Sequence, residues 1–120
     1  MATTTLTQDN FETTVTGNEI VIVDFWAPWC GPCRTFAPIF ESVSENHPDV
    51  VFAKVNTEEE QAIAASFQIR SIPTLMVFRE QVILFSQAGM LPAAQLENLI
   101  AKVREVDMAQ VHAEINKQNG

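Results

Sequence analysis

Between residues 20 and 26 the apolar positions stop being spaced and become nearly continuous, as Ile20-Val21-Ile22-Val23, then Asp24, then Phe25-Trp26. A β-branched and aromatic run of this kind predicts a strand covered on both faces. Upstream of it, Asp9 followed by Asn10-Phe11-Glu12 reads as the cap and acidic first turn of a short helix that stops at Gly17-Asn18. Downstream, Phe36, Ile39, Phe40 and Val43 recur at helical spacing and predict a helix from about Pro32 to Asn46, kinked near Pro38. Pro48-Asp49 marks a turn, Val50 to Val55 a second strand, and Glu59 to Phe67 a short helix with Ala62, Ile63 and Phe67 on one face. Leu75 to Phe78 and Val82 to Phe85 are two strands separated by Arg79-Glu80-Gln81, close enough for an antiparallel hairpin that Gly89 ends. From Pro92, the positions Leu96, Leu99, Ile100, Val103 and Val106 trace an amphipathic helix, and Val111 and Ile115 extend it toward a polar end. The order of these elements gives an α/β sandwich with a mixed central sheet.

Composition narrows the function classes. The chain has 120 residues, 47% hydrophobic and 18% charged, which suits one folded domain and excludes a disordered chain. Fifteen acidic residues against seven basic ones give a net charge of -8, the wrong sign for holding phosphate backbones, so nucleic acid is not an expected partner. The acids are dispersed apart from Glu58-Glu59-Glu60 and read as a self-repelling surface. Apolar runs such as Ile20 to Val23 and Val82 to Phe85 fall far short of the roughly twenty residues of a membrane span, so no membrane is expected. Met1-Ala2-Thr3-Thr4-Thr5 lacks the basic start and apolar stretch of a secretory signal, and the expected location is cytoplasmic.

Chemistry concentrates where the buried strand gives way to the long helix. Cys30 and Cys33 stand there with two residues between them, and in a reducing compartment such a pair points to redox chemistry or to metal. A structural zinc site wants four donors; only His47 and His112 are available to join the cysteines, neither at ligand spacing, so no metal is expected. His47 reads as a loop residue and His112 as a late-helix surface residue. At a helix N-terminus, unpaired backbone N–H groups stabilise a thiolate on Cys30, the attacking species. Cys33, one turn further in, is placed to attack the mixed disulfide that Cys30 makes and release the reduced product. Gly31-Pro32 supplies the tight turn between them without a side chain that blocks access. Asp24, a carboxylate inside an apolar strand, is costly unless it works; near Cys33 it is a candidate general base with a raised pKa. No nucleophile elbow, Walker string or Rossmann glycine fingerprint offers another enzyme class.

The string Val23-Asp24-Phe25-Trp26-Ala27-Pro28-Trp29-Cys30-Gly31-Pro32-Cys33-Arg34, with Ala37-Pro38 behind it, closely resembles the active-site segment of thioredoxins. The resemblance continues through Ala53-Lys54-Val55-Asn56, Ile69-Arg70-Ser71-Ile72-Pro73-Thr74 and Gly89, over roughly residues 5 to 106. It implies the thioredoxin fold: three α/β/α layers, with about five strands flanked by about four helices. Residues 1–106 form the thioredoxin domain on this reading, and 107–120 a C-terminal extension that continues the last helix or frays.

The resemblance further implies a cis Pro73 beside the cysteine pair, and a client segment that pairs with the backbone of Ile72. It implies as well that Trp29, Ile72, Pro73 and Gly89 form the docking surface and that Lys54 tunes Asp24, while Trp26 reads as packing. The implied activity is reduction of protein disulfides by a Cys30–Cys33 redox pair, since Gly31-Pro32 resembles the reducing members. Implied partners are disulfide-containing clients and an NADPH-dependent, flavin-containing thioredoxin reductase, with no cofactor bound by a monomeric chain. The competing class is a binding or holdase module, or an assembly subunit, in which the redox pair is not essential. Two departures from the family pattern stand out. Gln81, after Glu80, replaces the usual hairpin glycine, so a different turn is expected, and Leu91-Pro92 precedes the last helix in place of a Ser or Asp cap.

Overall fold

Side chains along residues 20–26 alternate between two separate cores, Ile20 and Ile22 entering one while Val21, Val23 and Phe25 enter the other. The computed structural model, which describes residues 2–119, builds three layers on this alternation. Its elements are β1 (Thr3–Thr5), α1 (Phe11–Gly17), β2 (Ile20–Trp26), α2 (Gly31–Ser44), β3 (Val51–Asn56), α3 (Gln61–Ser66), β4 (Thr74–Arg79), β5 (Val82–Ala88), α4 (Ala93–Glu105) and α5 (Met108–Asn119). One sheet runs in the order β1-β3-β2-β4-β5. β1, β3 and β2 are parallel, β4 is antiparallel to β2, and β5 is antiparallel to β4.

On one face, Phe36, Phe40 and Val43 of α2 and Leu96, Ile100 and Val103 of α4 pack against Ile22, Phe52, Leu75 and Val77. On the other, Val15 of α1 and Ile63 of α3 close over Val23, Phe25, Val55 and Met76. Burial of each large side chain contributes about 1.5–3 kcal/mol, which is why these spacings decide the layers. This is the thioredoxin fold that the residues resemble, with β2 as its central strand.

Several details differ from the sequence reading. β1 has no apolar signal; it is held by parallel pairing of Thr3 with Phe52, Thr4 with Ala53 and Thr5 with Lys54, and by Leu6, which is fully buried immediately after it. The first helix is capped by Asn10, not Asp9, and Asn10 uses its side chain to accept the N–H of Thr7 at 2.7 Å, bracing the preceding turn. The hairpin turn keeps positive φ without a glycine, 51° at Glu80 and 69° at Gln81, the sign a two-residue turn of the primed type needs at both positions.

The C-terminal segment is a fifth helix and not a continuation of α4. Val106 is extended (φ -64°, ψ 132°), which ends α4 before Met108 begins α5. His47 does more than occupy a loop: its Nε2 lies 2.5 Å from Glu97 on α4, and Arg104 reaches its Nδ1 at 3.1 Å while also pairing with Asp49 at 2.7 Å. The Arg104 hydrogen bonds hold the exposed Asp49 carboxyl down to about 2.

Candidate active site

After Trp26 the chain turns through residues 27–29 and enters α2 with Cys30 as the capping residue. Its backbone is extended (φ -88°, ψ 114°), and its Sγ accepts the backbone N–H of Cys33 at 3.2 Å. A sulfur in that position receives the positive end of the helix, the arrangement that favours a thiolate. Pro32 occupies the first turn, where a missing N–H costs no helical bond. The turn is braced by Cys30 N–H to Ala27 O at 3.2 Å and by Arg34 Nη1 to Pro28 O at 2.8 Å. Cys30 and Cys33 are joined as a disulfide with Cα atoms 5.2 Å apart. Both are nearly covered, 5% and 2% exposed, beneath exposed Trp29, Gly31 and Pro32.

A second segment approaches from across the sheet. The Ile72–Pro73 peptide bond is cis, and the Ile72 carbonyl oxygen lies 3.7 Å from Cys30 Sγ. Pro73 O accepts the N–H of Gly89 at 2.8 Å, which brings the end of β5 to the same place. Gly89 has φ +99° with open space around its Cβ position, so conformation and not crowding demands glycine there. The structure thus brings Trp29, Cys30, Ile72, Pro73 and Gly89 to one end of the sheet. An apolar groove of about 470 Å³ between α1 and α3, lined by Phe11, Val15, Ile63, Phe67 and Phe78, contains neither cysteine.

Asp24 lies at the same parity of β2 as Ile20 and Ile22, on the face covered by α2, the helix that carries Cys33. It is 1% exposed and neither carboxylate oxygen has a hydrogen-bond partner. Burial pushes its carboxyl up to about 7, and the positive charge of Lys54 opposes that shift. Lys54 is the register partner of Asp24 on β3, and its ammonium lies 4.8 Å from the ring centroid of Trp26. One site residue escaped the sequence reading: Glu58 accepts the indole N–H of Trp29. In the sequence it is one of three consecutive acids, with nothing to separate it from Glu59 and Glu60.

Among the described residues, no group of three or more His, Cys, Asp or Glu side chains is arranged to hold a metal ion, and no helix is long and apolar enough to cross a membrane. A disulfide-bonded cysteine pair at the mouth of a helix, next to a cis-proline loop on this fold, defines a thiol-disulfide oxidoreductase. The thioredoxin family profile matches residues 2–118, and the chain belongs to that family. It is 50% identical over 117 residues to the "Putative thioredoxin 2" of Streptomyces coelicolor, covering 98% of this chain and 87% of that protein. It is 45% identical over 103 residues to the thioredoxin of Alicyclobacillus acidocaldarius, covering 85% of this chain and 98% of the other. Among solved structures, a thioredoxin of Plasmodium falciparum superposes with a TM-score of 0.77 at 35% identity, over 82% of this chain and 97% of that one. The protein is therefore a thiol-disulfide oxidoreductase of the thioredoxin family, with a redox-active Cys30–Cys33 disulfide and disulfide-containing proteins as its clients.

Proposed function

We propose that the chain reduces client disulfides with Cys30 as nucleophile, Cys33 as resolving thiol and Asp24 as the proton acceptor. The observation that carries this reading is the asymmetry of the pair: Cys30 Sγ is the group that caps the helix, and Cys33 lies one turn inside on the face that Asp24 shares. The Cys30 thiolate attacks one sulfur of the client disulfide, forming a mixed disulfide, and the other client sulfur leaves as a thiolate that takes a proton from water. The Asp24 carboxylate then accepts the Cys33 thiol proton as Cys33 attacks Cys30 Sγ. The Cys30–Cys33 disulfide forms, the second client thiolate departs, and two electrons have passed from the protein to the client. A carboxyl near 7 is matched to this work at neutral pH.

Clients dock, on this reading, against exposed Trp29 and the backbone of Ile72, with Pro73 and Gly89 shaping the groove, Gly31 and Pro32 forming the turn between the two sulfurs, and Lys54 tuning Asp24. Disulfide-containing proteins in extended conformation fit an unpaired backbone segment by strand addition. The chain works as a monomer in the cytoplasm, residues 1–106 forming the thioredoxin domain and 107–120 an extension. It binds no cofactor of its own, and an NADPH-dependent thioredoxin reductase returns the disulfide to the dithiol.

The test is a Cys33→Ser variant offered to oxidised client proteins. A mixed disulfide through Cys30 is expected to accumulate, and to vanish when Cys30 is also changed to serine. Trapping through position 33 in the complementary Cys30→Ser variant, with none through Cys30, would reverse the assigned roles.

A further inference from the structure

The two outer strands of the sheet are protected unequally. β1 is three threonines, too short to template pairing with another chain. β5 is seven residues, Val82-Ile83-Leu84-Phe85-Ser86-Gln87-Ala88, without a charge or a proline. That composition favours edge-to-edge pairing, and the usual deterrents of lysine or proline on the strand are missing. A register irregularity opposite Val77 and Phe78 is one deterrent that remains.

The other is α5. Val82, Ile83 and Leu84 share one groove with Val106, Val111 and Ile115. Successive strand residues point to opposite faces, so a groove touched by three in a row follows the edge of β5 and not one of its faces. Val111 and Ile115, one helical turn apart, are the side of α5 turned to that edge, with Met108 buried a turn earlier. Polar contacts of two side chains, His112 and Arg79, fix the helix and the link that leads into it. His112 Nε2 lies 2.9 Å from Glu80 Oε1 at the hairpin turn. Arg79 Nη1 donates to the carbonyls of Val103, Arg104 and Val106 at 2.8, 3.3 and 3.0 Å, fixing the link that leads into α5. Met108 apart, every described side chain of α5 is at least partly exposed, so the helix rests on the body and contributes little to its interior.

We infer that α5 is an edge guard: it occupies the open side of β5 and keeps that strand from pairing with β5 of a second copy of this chain. The inference rests on the monomeric state proposed above and supplies a physical cause for it. Without the guard, two β5 strands would join two sheets into one through main-chain hydrogen bonds.

Sedimentation equilibrium of the native chain comes first; a native dimer would overturn the monomeric reading itself, and the guard with it. In the full-length Val111→Asp/Ile115→Asp variant, α5 amides are expected to lose protection and residues 82–85 to exchange at least about tenfold faster at low concentration. At high concentration the variant is expected to self-associate and regain that protection. Adding Ile83→Lys, which puts a charge on the pairing strand, should return it to monomer. A variant that releases α5 yet stays monomeric overturns the inference, as does association indifferent to Ile83→Lys. If the double variant does not fold, His112→Asp sets a carboxylate against Glu80 and is read by the same outcomes. Retained α5 protection in that variant also overturns the guard, because the helix would then be held as part of the core.

Discussion

Asp24 and Lys54 stand side by side in the parallel register of β2 and β3, an acid with no hydrogen-bond partner next to a base whose ammonium sits against the ring of Trp26. The lysine therefore offsets part of the burial cost of the carboxylate without closing a direct ion pair, and the acid keeps a carboxyl near 7. A fully paired carboxylate would ionise well below neutrality and be a poor proton acceptor. The incomplete partnership keeps Asp24 able to take and give up a proton under working conditions.

The buried acid carries a stability signature opposite to that of a salt-bridged one. Its folded pKa of about 7 lies above the ordinary 3.8, so between those values the native state holds more protons than the unfolded chain. Stability should fall as pH rises from about 4 to 7, by about 4 kcal/mol for a shift of this size. Asp24→Asn should lack that decline and gain on the parent chain as pH increases, read from urea unfolding at pH 4.5 and pH 8. A difference between the two proteins that does not change with pH would remove the burial argument.

Lys54→Gln takes away the one charge that lowers the Asp24 carboxyl, so its midpoint should move above 7. The rate of the resolving step should shift to higher pH in parallel. A carboxyl-resolved NMR titration of Asp24 checks the first expectation, and the pH profile of client release from the mixed disulfide checks the second.

Trp29 is 65% exposed, so its removal should leave stability almost untouched while weakening client docking. Trp29→Ala is expected to raise KM for a protein disulfide by about tenfold with kcat little changed, the mark of lost binding and intact chemistry. Glu58→Ala, which frees the indole, should show a smaller rise of the same kind, and Glu58→Gln, still an acceptor, should recover it. A fall in kcat without a change in KM would move Trp29 from docking into the chemical step.

Arg79 serves the fold far from the disulfide. Its largely covered guanidinium satisfies the last carbonyls of α4 and pairs with Glu19 at 3.2 Å. Arg79→Met should cost about 2–3 kcal/mol, the scale of charged hydrogen bonds lost from a covered site, without altering the reduction potential of the cysteine pair. Denaturant unfolding and a glutathione redox titration separate the two effects.

How much of the fold and site the residues reveal depends on how far along the chain each signal reaches. β2, α2 and α4 were legible because burial on one or both faces leaves a period in the sequence. Cys30 and Cys33 were legible as chemistry from spacing alone, and Asp24 because a carboxylate amid Val and Phe is anomalous wherever it sits. The approach of Ile72, Pro73 and Gly89 to the sulfur spans long stretches of chain, 42 residues for Ile72 and more for Gly89, and came only through the family resemblance. β1 was hidden because threonines held by main-chain pairing carry no apolar period. The break at Val106 was hidden because Val111 and Ile115 keep the helical spacing across it. Glu58 gave no sign, since its partner lies on another loop and two identical acids follow it.

The alternation of β2 between two cores also makes the position of the acid a matter of counting. From Ile20, even-numbered residues go to the α2 side and odd-numbered ones to the α1 side. Insert one residue between Ile20 and Asp24, and if the strand keeps its pairing at Ile20, the carboxylate is delivered to the wrong side of the sheet. The cysteines would be unchanged and the outline of the fold intact, yet the sheet itself would stand between the acid and the helix that carries Cys33. Arithmetic parity along one strand thus acts as an address for the proton acceptor, independent of any contact the acid makes.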